Sequence, residues 1–183
     1  MAAAACVGGL LLGAVGCTAA PMSAKPSPTP TVVPIFASDE EALAAATEAY
    51  ANYVATADMI ITEGGADPQR IEPYVSGEMA KSEIESFNSL AMDGLHGTGT
   101  STFSNLSVQT MSLDSESGQG IVTAYVCSDV SGTDIVDAAG QSTLSAERES
   151  RTPFLLVFDL STPDSDELVV SSAKVWAGEG VCT

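Results

Sequence analysis

Recognisable constellations of side chains that move protons or hold metals are mostly missing from this chain. The single histidine, His96, sits in Gly94-Leu95-His96-Gly97, a setting expected for a solvated residue in a helix-to-strand connection. Tyr50, Asp58, Tyr125 and Asp159 are the residue types of a proton-transfer site, where a carboxylate takes a proton and a phenol donates to the developing oxyanion. A carboxylate does that work only when burial or a neighbour tunes it and a donor stands opposite. Sequence spacing does not bring these four together, so no catalytic residue is assigned. Serine is abundant, but Gly-x-Ser-x-Gly does not occur. The run from Asp129 to Asp134, with Asp137 following, carries the oxygen chemistry of a calcium loop, yet it lacks glycine at its sixth position and glutamate at its twelfth. Asp137-Ala138-Ala139-Gly140 is more simply a turn. The four cysteines and one histidine lack zinc-site spacing, and no metal or other cofactor is expected.

Overall charge narrows the partners. The 183 residues include 24 acidic and 6 basic side chains, a formal net charge of -18. Basic residues scattered from Lys25 to Lys174 build no stripe for a phosphate backbone, which excludes nucleic acid and disfavours an anionic lipid surface. With 45% apolar and only 16% charged residues, the composition is that of an acid-coated globular protein with one sizeable core.

The elements that would position these groups follow from periodicity. Residues 1–16 carry no charge, and the apolar run from Val7 to Val15 is too short to span a bilayer, which needs about 20 residues; it reads as the h-region of a signal peptide. Five prolines between Thr18 and Ala37 make residues 17–37 an extended tether. About 20 residues at about 3.1 Å each reach roughly 60 Å. Ser38 with Glu41 three residues on is a capping-box start, and Leu43, Ala46, Tyr50, Tyr53, Val54, Ala57, Ile60 and Ile61 recur at helical spacing until Gly64-Gly65. Asp67-Pro68 predicts a cap and a short helix near Pro68–Tyr74, and Ser76 to about Ala91 predicts a third, with Lys81 four residues before Glu85. After Gly99 the β-formers take over. Strands are expected over Thr102–Leu113, Ile121–Ser128, Phe154–Leu160 and Leu168–Trp176, paired antiparallel. Helices first and strands after is an α+β order.

Two resemblances add to this reading. The run Leu11-Leu12-Gly13-Ala14-Val15-Gly16-Cys17 resembles the lipobox of bacterial lipoproteins, which implies lipidation of Cys17, cleavage before it and anchoring at the outer face of the cell membrane. From Ser38 to Cys182, the order of a long helix, two more helices and a bent antiparallel sheet resembles the nuclear transport factor 2-like cone. Within that span Ala124-Tyr125-Val126-Cys127, Arg151-Thr152-Pro153-Phe154 and Val175-Trp176 through Val181-Cys182 look like a group of uncharacterised Gram-positive lipoproteins. Some enzymes on the cone fold use an Asp base and a Tyr or Asp donor, so the resemblance makes Tyr50, Tyr125 and Trp176 candidates for a cavity lining. With Cys6 lost in the signal peptide and Cys17 lipidated, Cys127 and Cys182 remain as an even pair in an oxidising compartment. A bond between them would close a loop of about 55 residues, which stabilises by roughly 4 kcal/mol in the chain-entropy model. The expected function is a cell-envelope binding or scaffold domain, taking an envelope protein or a small molecule. The alternative is a small cavity enzyme of isomerase, dehydratase or cyclase type.

Overall fold

The computed structural model describes residues 35–112, 117–163 and 165–183; the signal peptide, Cys17 and nearly all of the tether lie outside them. Helix α1 spans Asp39–Thr62, a 3-10 helix η1 spans Pro68–Tyr74, and α2 spans Gly77–Met92. Six strands follow: β1 (His96–Gly99), β2 (Thr102–Met111), β3 (Val122–Asp129), β4 (Thr133–Val136), β5 (Arg151–Leu160) and β6 (Leu168–Val175). The architecture is α+β, as expected, with every ladder antiparallel.

α1 starts where the capping residues put it. Ser38 Oγ accepts from the Glu41 backbone N–H at 3.2 Å, while Glu41 Oε2 accepts from Ala37 N–H at 2.7 Å. The first contact satisfies a donor that the first turn leaves unpaired, and the second ties the residue before the cap to that turn. Phe36, only 3% exposed, already belongs to the core, so packing begins ahead of Ser38. The chain leaves α1 through Gly65 at φ +80°, where a Cβ would collide with the Phe87 carbonyl oxygen. Glycine is needed there for both reasons, and its absence of a side chain lets α2 come close.

The main sheet has the order β2-β3-β5-β6, a meander, while β1 and β4 form a separate two-stranded sheet. On β3, Val122, Ala124 and Val126 turn inward and pair across with Phe158, Leu156 and Phe154 of β5. They pack beneath Ala46, Ala49, Tyr50, Ala57 and Ile60 of α1. Full burial of a side chain such as Leu156 or Phe158 contributes about 1.5–3 kcal/mol. Alternation along each strand sends Tyr125, Cys127 and Leu155 to the face away from the helices. After β6 the chain returns across that outer face. Trp176 N–H donates to Pro153 O at 2.8 Å, Asn105 Nδ2 donates to Val181 O at 2.9 Å, and Cys182 is disulfide-bonded to Cys127 with Cα atoms 5.0 Å apart.

Several local expectations are corrected. His96 stands opposite Val136 in β1, half-buried, and not in a loop; the run His96-Gly97-Thr98-Gly99 has no strand signature, and its partner β4 supplies the ladder. Asp67 takes a left-handed conformation (φ 48°) and its side chain does not cap η1. Lys81 pairs with Glu78, one turn back, in place of Glu85. Asp137 and Gly140 form the expected turn, Gly140 N–H donating to Asp137 O at 2.9 Å.

Candidate functional site

The carboxylates flagged by residue type are held by backbone connections. Asp58, near the C-terminal end of α1, accepts from Ser101 N–H at 2.6 Å and from Ser101 Oγ–H at 2.7 Å, tying the helix to the β1–β2 connection. Asp159 on β5 accepts from Ser76 Oγ–H and from Gly120 N–H, both at 2.8 Å. Ser76 precedes α2 yet makes no side-chain cap, because its hydroxyl is committed to Asp159. Neither acid is bonded to Tyr50 or Tyr125.

The three candidate cavity residues divide between two faces of the sheet. Tyr50 is buried in the core, its ring 4.9 Å from Phe103 and 5.8 Å from Tyr53. Burial raises the Tyr50 phenol above its ordinary value, a hydrogen bond with Ser128 partly offsets this, and the nearby Glu83 adds to the rise. Tyr125 and Trp176 lie on the outer face, ring centroids 4.9 Å apart, where the returning chain crosses the sheet. Tyr50 therefore does not share a pocket wall with the other two. His96 belongs to the small β1–β4 sheet, and no group of three or more metal-binding side chains occurs among the described residues.

Glu83 is the acid that residue typing missed. It accepts from the Tyr53 hydroxyl at 3.0 Å between α2 and α1. Desolvation raises the Glu83 carboxyl above its ordinary value, with the Tyr53 hydrogen bond pulling in the opposite direction. The Tyr53 phenol is pushed up strongly, first by burial and then by the Glu83 charge. A sequence signal existed: Met79, Ala80, Glu83, Ile84, Phe87 and Leu90 share one helical face, so Glu83 is the acidic member of an apolar stripe.

The larger concavity lies at the other end of α1. A groove of about 540 Å³ runs between that helix, the end of η1 and the β5–β6 connection. Its base holds Phe36, Ala49, Leu168 and Val169, all buried. Alanines at 44 and 45, facing the groove from α1, leave the space that longer side chains would fill. Glu41, Glu48, Asp166 and Glu167 stand along its edges, and no Lys or Arg among the described residues lines it. Three smaller hollows meet at Asp58. Neither they nor the groove is lined by Tyr53 or Glu83.

No helix among the described residues is long and apolar enough to cross a membrane. No protein-family model matches the chain. No curated protein matches it either. Among solved structures, the intermembrane-space region of the chloroplast protein ARC6 superposes with a TM-score of 0.53 at 13% identity, covering 74% of this chain and 97% of that one. A de novo designed β-sheet protein aligns over 73% of this chain and 88% of its own at 20% identity, with a TM-score of 0.32. The likeness to the ARC6 region extends to the fold alone: helices packed on an antiparallel sheet.

Proposed function

We propose that the chain is an exported lipoprotein, anchored through Cys17 at the outer face of the cell membrane, whose nuclear transport factor 2-like cone is a non-catalytic binding module. The observation that carries the non-catalytic part is the fate of Asp58 and Asp159. Asp58 spends its carboxylate on two donors of Ser101, and Asp159 spends its own on Ser76 before α2 and Gly120 before β3, so neither faces a phenol across a space that admits a substrate atom. The cone reading draws on α1 packing against both edge strands of the main sheet, β2 and β6, as a sheet curled about a helix would arrange. Export draws support from the Cys127–Cys182 disulfide, which belongs in an oxidising compartment, and from the lipobox-like run before Cys17.

The anchor is tested by detergent-phase partitioning of the full chain. The wild-type protein should enter the detergent phase, and Cys17→Ser should move to the aqueous phase or stay unprocessed; equal partitioning of the two overturns the anchor. Stable anchoring needs two acyl signals, and a diacylglyceryl cysteine supplies both.

The small cavity enzyme is favoured by one observation, the desolvated Glu83 with Tyr53 as donor. Their direct bond at 3.0 Å counts against it, because base and donor occupy each other's bonding position.

A further inference from the structure

The groove at the N-terminal end of α1 has an edge charge that nothing else in the described structure answers. Among the described residues Arg70 pairs with Glu63, Lys81 with Glu78 and Arg151 with Asp129. Arg148 donates to the Val130 and Thr133 carbonyls, and Lys174 stands on β6 opposite Leu155 of β5. None of these cations lines the groove. Glu41 is already engaged by Ala37 N–H, which leaves Glu48 on the helix side and Asp166 and Glu167 on the opposite side. Like charges gathered over a low-dielectric base concentrate a negative potential there. Beneath them the base is apolar, so the groove offers two kinds of surface in one place, buried hydrocarbon below and uncompensated carboxylate above.

Dimensions favour an extended chain over a lone ion. From Glu41 to Asn52 the helix runs about 16 Å at about 1.5 Å per residue, which matches roughly five residues of extended peptide. In such a segment successive side chains point opposite ways. Alternate apolar side chains would rest on Ala44, Ala45, Pro73 and Tyr74, which line the groove and keep surface open to it, and the intervening basic ones would reach Glu48, Asp166 and Glu167.

We infer that this groove docks an extended segment of a partner protein in which lysine or arginine alternates with apolar residues. The inference rests on the reading of the domain as a binding module and names the chemistry of its partner.

The test is fluorescence anisotropy with labelled Lys-Leu-Lys-Leu-Lys amide and the full chain in detergent. Saturable binding that weakens steadily with added salt is expected, while Ser-Leu-Ser-Leu-Ser amide should bind at least tenfold more weakly. Glu48→Gln with Glu167→Gln should weaken the lysine peptide at least tenfold, and Glu85→Gln on the exposed side of α2 should leave it within twofold. Loss of less than twofold in the double variant overturns the groove, as does equal binding of the serine peptide. Calcium bound by the wild type, lost in the double variant and not displaced by the peptide would assign the groove to a cation instead. A salt-sensitive dimer abolished by the same two substitutions would assign it to a second copy of the chain. The Cys17→Ser protein serves equally well in this titration, so a failed anchor and a failed groove give different results.

Discussion

The two ends of α1 treat their carboxylates in opposite ways. At the C-terminal end Asp58 is locked by the backbone and hydroxyl of Ser101 and holds the small β1–β4 sheet to the helix through the β1–β2 connection. At the N-terminal end Glu48 faces an open groove with further acids across from it and no cation beside it among the described residues. The same residue chemistry thus does structural work where a neighbouring chain segment supplies donors, and stays available where none does. A carboxylate is a functional candidate according to what faces it, and its type alone says little.

The contrast breaks first on stability. Asp58→Ala should cost about 2 kcal/mol, since it removes both hydrogen bonds to a charged acceptor and leaves the Ser101 N–H without that partner. Equilibrium urea unfolding measures it, and a change below about 0.5 kcal/mol would mean that the locked end is no more structural than the open one.

A smaller and pH-dependent effect is expected between the two ends, where Tyr53 of α1 meets Glu83 of α2. Its folded pKa is raised by desolvation, so the folded state binds the proton more tightly than the unfolded chain does. Stability from this group is then fully present below the unfolded carboxyl pKa and declines as pH rises through the folded one. Glu83→Gln keeps an acceptor for Tyr53 and removes that decline. The variant's urea midpoint, matched to wild type at acid pH, should exceed it at neutral pH; parallel curves across that range would show that the raised pKa has no thermodynamic consequence.

Glu48→Ala should move stability by the least, within about 0.5 kcal/mol, because an exposed acid beside an open groove loses no partner among the described residues. A thermal midpoint shifted as far as that of Asp58→Ala would erase the difference between the ends.

How much of this was legible before the structure depends on how local the signal was. Helix starts and stops are written in short runs: Ser38 with Glu41 gave the cap, and Gly64-Gly65 gave the exit, to within a residue or two. The long strands announced themselves through β-branched and aromatic residues. β1 did not, because His96-Gly97-Thr98-Gly99 has neither pattern nor propensity and exists by pairing with β4, more than thirty residues away. Glu83 was readable as a polar interruption in an apolar face, but its partner Tyr53 was not, since that contact is fixed by how two helices pack. The division of Tyr50 from Tyr125 and Trp176 was hidden for the same reason. Which face of a strand meets the helices is decided by register and by the whole core, and the groove is made by three segments that no sequence window contains.

The bond between Cys127 and Cys182 also sets an order for partial unfolding. It makes a closed covalent ring that includes all of β4, β5 and β6, with β5 hydrogen-bonded between β3 and β6. β5 cannot drift away from its neighbours by any path that lengthens the chain between them beyond that ring. β2 stands outside it, at an edge of the sheet, with register shifts between Ser104 and Ser107 and between Val108 and Thr110. Fluctuations that open the sheet should therefore start by peeling β2, together with the helix side of the core it covers, while β3, β5 and β6 stay laced. Opening from that side would bare Tyr50 and Phe103 to solvent before Tyr125 and Trp176 part.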